Sequence, residues 1–295
     1  MHKDHPISAL TFPDALEHWQ VSDAALARAY ARTGDRGRAL LKSSIAMLYE
    51  SLEAGRPTDH KCVKRFRSGL VQSREYSPRP WYMLVLGSEV TSGPQVLAAV
   101  MPAVVRRIPL VMVLRPRSRA GWAPEVLTAL ELCGVEHVYS PPRGEMKHYL
   151  EFLTATCGRG GLACLGLSPF WDRVASLAQT LRCGPALWLE PPAALGVWTE
   201  PGLEWDSTAM RFAHPRATLT AYGPGDDMGL TRAGLSGADG MEGFRAAGYT
   251  AVYAPAGRRP ASARVRLGPG LEAFWDWPED FAELLERKRI IYSKD

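Results

Sequence analysis

Three short segments of this chain carry the residues best able to do chemistry, and each follows an apolar run. The first is Gly87-Ser88-Glu89-Val90-Thr91-Ser92-Gly93-Pro94. Its small residues let a ligand approach the backbone, and a helix starting at its end offers free N–H groups to an anion. Gly87, Ser88, Thr91, Ser92 and Gly93 are therefore candidate contacts for the phosphates of a nucleotide. The spacing is neither GxGxxG nor a Walker loop with its lysine, and a plain tight turn uses the same residue types. In the second segment, Gly166-Leu167-Ser168-Pro169, Ser168 either joins those contacts or caps the helix that follows. The third is Leu189-Glu190-Pro191-Pro192, where Glu190 is either a carboxylate at a sheet edge or a surface turn residue.

Of the seven histidines, His214 in Met210-Arg211-Phe212-Ala213-His214 has the most suggestive setting. A proton-transfer role is one reading, and a hydrogen-bonded structural histidine is the other. HExxH and CxxC are both absent, so no zinc site is read from motifs. The five cysteines, Cys62, Cys133, Cys157, Cys164 and Cys183, show no paired spacing, so reduced thiols are expected rather than a disulfide framework. Cys164 lies in an apolar run and reads as core. The absence of GxSxG disfavours an α/β-hydrolase.

The elements that must position these segments are legible from periodicity. From Trp81 to Pro192, continuous apolar runs (WYMLVL, LVMVL, HVY, GLACL, ALWL) alternate with helical stretches. That alternation predicts a Rossmann-like parallel sheet with helices on both faces, whose connecting turns meet at the carboxyl ends of the strands. The helix after the first strand is expected to be interrupted at Pro102. Residues 14–53 read as helical, broken near Gly34 and Gly37, with Leu40, Leu41, Ile45, Leu48 and Leu52 forming one apolar stripe. Residues 58–80 are polar and basic, and Lys61, Lys64, Arg65 and Arg67 read as a solvated connecting face or as a contact for phosphate. After Pro192 the pattern weakens to two helix–strand pairs and a polar helical tail, DFAELLERKR. Phe274, Trp275 and Trp277 read as local core or as a partner surface. The expected division is a helical segment over 1–76, a Rossmann-like α/β domain over 77–200 and a smaller α/β region over 201–295.

The stretch from Leu84 to Tyr139 resembles the first Rossmann-like half of histidinol dehydrogenase, whose fold is related to the aldehyde dehydrogenase superfamily. The matching pieces are Val96-Leu97-Ala98-Ala99-Val100-Met101-Pro102-Ala103, then Arg115-Pro116, then Cys133-Gly134-Val135. The resemblance covers about residues 80–140, and more loosely 160–222. It implies an NAD(P)-dependent oxidoreductase, with NAD or NADP as cofactor. It also places the family's functional positions on other residue types. The cofactor-contacting tyrosine falls on Leu84, and the glycine–proline–glycine–asparagine loop falls on Leu167-Ser168-Pro169-Phe170-Trp171. The zinc-binding pair falls on Arg211 and His214, so no zinc is expected.

Two functions follow from different classes: an oxidoreductase with a remodelled site, or a noncatalytic relative that binds a ligand or a protein. The expected partner is a small-molecule ligand, with a homodimer as an option. The chain carries 35 Lys and Arg against 31 Asp and Glu, a net charge of +4, so no nucleic-acid partner is expected. No apolar run of membrane-spanning length occurs, so no membrane partner is expected either. The N-terminus lacks an apolar leader core, which gives a cytoplasmic expectation.

Overall fold

A computed structural model describes residues 12–52, 59–233, 238–258, 260 and 262–294 of the chain. The predicted alternation appears as a five-stranded parallel sheet. Its strands are β3 (Trp81–Leu86), β4 (Leu110–Leu114), β5 (His137–Tyr139), β6 (Gly161–Leu165) and β7 (Ala186–Leu189). These lie in the order β5-β4-β3-β6-β7. Helices α3 (Gly93–Val105), α4 (Pro124–Leu132), α5 (Met146–Cys157) and α6 (Ser168–Thr180) connect them. Every residue of β3 is fully buried because helices cover both faces. Tyr82, Leu84 and Leu86 pack with α3 and α4, while Trp81, Met83 and Val85 pack with α5 and α6. That split is the two-residue period of a strand.

A second five-stranded parallel sheet follows. It contains β8 (Ala194–Trp198), β9 (Thr218–Tyr222), β10 (Thr231–Arg232), β11 (Ala251–Tyr253) and β12 (Val265–Leu267), in the order β10-β9-β8-β11-β12. Numbered by position within each unit, both sheets run 3-2-1-4-5, so one topology occurs twice in a chain without a visible sequence repeat. Helices α7 (Ser207–Ala213) and α8 (Ala238–Ala246) cover opposite faces of the second sheet. One apolar cluster is continuous from Leu84 and Val113 of the first sheet to Leu195 and Tyr253 of the second.

The N-terminal part supplies α1 (Asp14–Glu17) and the long α2 (Asp23–Ser51), which kinks at Gly34, where φ is 68°. Leu41 and Leu48 of α2 are fully buried. Thr33 hydrogen-bonds Thr128 of α4, Ser44 donates to the Ala273 carbonyl, and Gly37 faces Phe212 of α7. Helix α2 thus braces both units.

Three local expectations are corrected. Pro102 does not interrupt α3, which runs to Val105 with residues 93–103 all buried. Packing on every side holds the helix against the missing hydrogen bond. The basic stretch 58–80 is not a connecting face. It forms β1 (His60–Arg65) and β2 (Leu70–Pro78), an antiparallel hairpin exposed along much of its length. The tail is helical only over α9 (Ala282–Leu285). Glu286–Lys294 is a strand, β13, paired antiparallel with β2. Phe281, Leu284 and Leu285 are buried, but the charged residues beyond them have no apolar stripe to hold a helix.

The junction of β6 with α9 is tight. A Cβ at Gly161 would lie 2.0 Å from the Leu284 carbonyl oxygen, whereas one at Gly144 would meet nothing within 4 Å. Gly161→Ala is expected to lower the unfolding free energy by roughly 2 kcal/mol or more, with Gly144→Ala near neutral. Urea denaturation of the two variants checks this, and equal stabilities would contradict the packing.

Candidate functional site

The carboxyl edge of the first sheet and the amino edge of the second enclose a cavity of about 220 Å³. Glu89, Thr91, Ser92 and Gln95 line it from the β3–α3 segment, and Leu167 from the end of β6. Glu190 lines it from the β7–β8 connection, and His214 and Arg216 from the turn between α7 and β9. At about 30 Å³ per water, this is room for a small molecule. Two larger concavities, along α6–β7 and on the β1–β2–β13 sheet, are open surface troughs.

The first turn of α3 organises the cavity. Ser92 is its N-cap, with extended backbone and an Oγ that accepts from the Gln95 N–H at 3.1 Å. The same hydroxyl donates to the Ala213 carbonyl at 2.6 Å, joining α3 to the end of α7. The Gln95 carbonyl accepts from Trp277 Nε1, and the Gln95 side-chain amide donates to His214 Nδ1 at 3.1 Å. Accepting at Nδ1 leaves the imidazole proton on Nε2. That atom is buried and has no partner among the described residues, and neither has Trp275 Nε1. The ring stands edge-on to Trp275, 4.9 Å between centroids, and to Tyr253 at 5.9 Å. Burial pushes the His214 pKa down to about 3. Its Nδ1 is occupied and its charged form disfavoured, so this imidazole is an N–H donor.

The crevice between β3 and β6 holds a carboxylate of the chain itself. Glu89 Oε1 accepts from the Leu167 N–H at 2.7 Å. A Cβ at Gly87 would lie 2.3 Å from that oxygen, and one at Gly166 would lie 2.8 Å from it. Behind the crevice, Arg115 is buried, donates to the carbonyls of Ser88 and Gly121, and faces the Trp122 ring at 5.3 Å. Its Nε has no partner among the described residues. Burial lowers the Arg115 pKa, and the charge of Glu89 opposes that shift.

The residues singled out from the sequence are distributed unevenly around this geometry. Thr91, Ser92 and His214 line the cavity. Gly87 lies beneath Glu89, and Ser88 turns its carbonyl to Arg115. Gly93 faces the other way: a Cβ there would lie 2.7 Å from the Glu125 carbonyl oxygen and 2.8 Å from Leu41. Ser168 opens α6 beside Leu167, and its side chain lies outside the description. Glu190, open between two roles in the sequence, is on the cavity wall. Sequence reasoning gave no role to Glu89, Gln95 or Arg216. Gln95 had a readable signal, as a polar residue in the otherwise apolar run GPQVLAAVMPAVV. Phe274, Trp275 and Trp277 belong to the core, and the latter two frame His214 and Gln95.

The groups implied by the histidinol dehydrogenase resemblance can be tested against these residues. Zinc at positions 211 and 214 does not fit: Arg211 donates to the Gly229 carbonyl, and His214 Nδ1 is taken by Gln95. Among the described residues no three His, Cys, Asp or Glu side chains converge to hold a metal. Dinucleotide phosphates do not fit the β3–β6 crevice while the Glu89 carboxylate occupies it. At the N-terminus of α3 the Gln95 N–H is taken by Ser92 Oγ. Cys164 and Cys183 are buried in the first unit, with thiol pKa values pushed up by burial, and no cysteine lines the cavity.

No family model matches the chain, and no curated protein matches it in sequence. Solved structures do. Histidinol dehydrogenase from Elizabethkingia anophelis superposes with a TM-score of 0.58 at 14% identity, over 94% of this chain and 77% of that one. The fold is dehydrogenase-like. Indole-3-acetaldehyde dehydrogenase in apo form aligns at a TM-score of 0.47 and 10% identity, over 92% of this chain and 84% of that one. An NAD-dependent benzaldehyde dehydrogenase from Corynebacterium glutamicum aligns at 0.37 and 11%, over 79% and 55%. At these identities the likeness to the histidinol dehydrogenase structure is one of dehydrogenase-like fold alone. Among the described residues no helix is long and apolar enough to cross a membrane.

The buried imidazole makes stability depend on pH. An unfolded histidine titrates near its ordinary value of 6.5 and His214 in the fold near 3, so between these values the unfolded chain binds one more proton. The contribution is fully present above about pH 6.5 and is lost as pH falls, at up to about 1.4 kcal/mol per unit. Going from pH 7 to 5, the wild type is expected to lose about 2 kcal/mol more unfolding free energy than His214→Gln. Urea denaturation at both pH values decides it, and identical pH dependence in the two proteins would contradict a buried neutral His214.

Proposed function

We propose that the chain is a ligand-binding protein on a dehydrogenase fold, taking a small polar molecule in the cavity against His214. The observation that carries this reading is the orphaned imidazole N–H. A buried donor without an acceptor costs stability, and a ligand oxygen or a water at that wall relieves the cost. The ligand class follows from the lining: an oxygen acceptor for His214 Nε2, on a molecule that is neutral or cationic overall. Glu89 and Glu190 outnumber the one cation of the wall, Arg216, and make it less favourable for a second anion.

A second reading, an NAD(P)-dependent oxidoreductase, is favoured by the cavity's place at the carboxyl edge of a Rossmann-type sheet. NAD or NADP would then contact Gly87, Ser88, Thr91, Ser92, Gly93 and Ser168, with His214 as the proton relay. The bond from Gln95 to Nδ1 and the depressed pKa weigh against that relay. The carboxylate of Glu89 weighs against the phosphates.

Two measurements separate the readings. In one, Tm is followed with millimolar NAD⁺, NADH, NADP⁺ and NADPH, and with small amides, amino acids, amino alcohols and aldehydes. In the other, the His214 ring resonances of ¹⁵N-histidine-labelled protein are followed with the same compounds. At least one neutral or cationic compound is expected to raise Tm and shift the His214 Nε2–H signal, and His214→Phe should lose both effects. If only the dinucleotides raise Tm, the oxidoreductase reading takes its place.

A further inference from the structure

We propose that Glu89 is a built-in occupant of an anion cradle between β3 and β6, and that it sets the charge selectivity of the cavity by keeping phosphates out. The proposal deepens the ligand-binding reading above and rests on the same cavity. Its starting point is the shape of the crevice. Gly87 and Gly166 present bare backbone to one carboxylate oxygen, so closely that a Cβ at either would displace it. The Leu167 N–H is aimed at the same oxygen at 2.7 Å. Two side-chain-free walls and a main-chain donor are what a bound anion needs.

A second, independent set of observations marks the place as a ligand site rather than a filled turn. The same cavity is lined by His214, 2% exposed, whose Nε2 has no partner among the described residues. Arg115, also 2% exposed, lies behind the loop within the field of Glu89, and its Nε is likewise unpartnered. Of the two carboxylates on this wall, Glu89 and Glu190, it is Glu89 that takes the main-chain donor of the crevice. A phosphate entering here must either displace Glu89 or sit against it as a like charge. A neutral or cationic molecule meets neither obstacle.

The proposal predicts a gain of binding on removal of one side chain. Pyrophosphate and ADP are titrated by calorimetry and thermal shift into the wild type, Glu89→Gly, Glu89→Ala and the double variant Glu89→Gly with Leu167→Pro. Leu167 has φ −77° and ψ 155°, which proline adopts, so the substitution deletes the N–H with little change of backbone. The wild type is expected to show no binding at millimolar anion. Glu89→Gly should gain at least about tenfold in affinity, and the double variant should lose that gain. Glu89→Ala makes the same test should the glycine variant fold poorly. No gain in either single variant overturns the proposal, as does a gain that survives loss of the Leu167 N–H. Either result leaves the His214 ring-signal test of the cavity standing on its own, so failure here is distinguishable from failure of the ligand-binding reading.

Discussion

The Ser92 hydroxyl and the Gln95 side chain tie the two sheet units together at the site. Ser92 Oγ accepts the Gln95 N–H, which any N-cap serine would do, but it also donates to the last carbonyl of α7. With the hydroxyl 2% exposed, both bonds are made away from water, where an unpaired partner is costly. From that point the rest of the wall is determined. Gln95 lies in the first turn of the same helix, its amide reaches His214, and its carbonyl is held by Trp277 from the C-terminal part of the chain. Two distant stretches of sequence, at 213–214 and at 277, are therefore fixed against a single helical turn.

The repeated topology explains why the cavity lies where it does. Each unit has a switch point between its first and fourth strands, and that of the first opens onto another part of the protein. At the carboxyl edge of the second sheet, among the described residues, the segment after β9 packs closely on its neighbours. A Cβ at Gly223 would lie 2.3 Å from the Thr199 carbonyl oxygen, and Arg232 donates to the carbonyls of Gly223 and Gly225. The first edge is instead roofed by the amino edge of the second sheet, with Ala193 and Ala217 on the cavity wall where β8 and β9 begin. Stacking one unit's exit edge on the other's entry edge makes a single enclosed space.

Much of this was legible in the sequence where burial writes a strong pattern. The strands between Trp81 and Leu189 are apolar runs because helices cover both faces, and the turns between them could be named in advance. The second unit was harder because its strands are short, down to the two residues of β10, too few for any period to emerge. The β1–β2–β13 sheet escaped because much of it is exposed, so its residues keep a polar composition that reads as a loop or a helical tail. Within the site, residue types were readable but directions were not. Gly93 and Ser92 are neighbours in one loop, yet one packs on α4 and the other lines the cavity. Glu89 drew no role from the sequence, since nothing local announces that Leu167, 78 residues away, will offer it an N–H.

Fold and chemistry are carried by different residues here, which is why likeness of fold says little about activity. The apolar alternation of β3, β4 and β6 and the burial of α3 are indifferent to what stands at position 89, which lies past the end of the strand. A dehydrogenase-like framework is therefore compatible with more than one residue at the crevice. Conversely, an imidazole 2% exposed with one nitrogen unpaired packs edge-on against Trp275 and Tyr253 and carries a desolvation cost. Glu89 and His214 line the same cavity, one removing the need for an external anion and the other leaving a donor for an external acceptor.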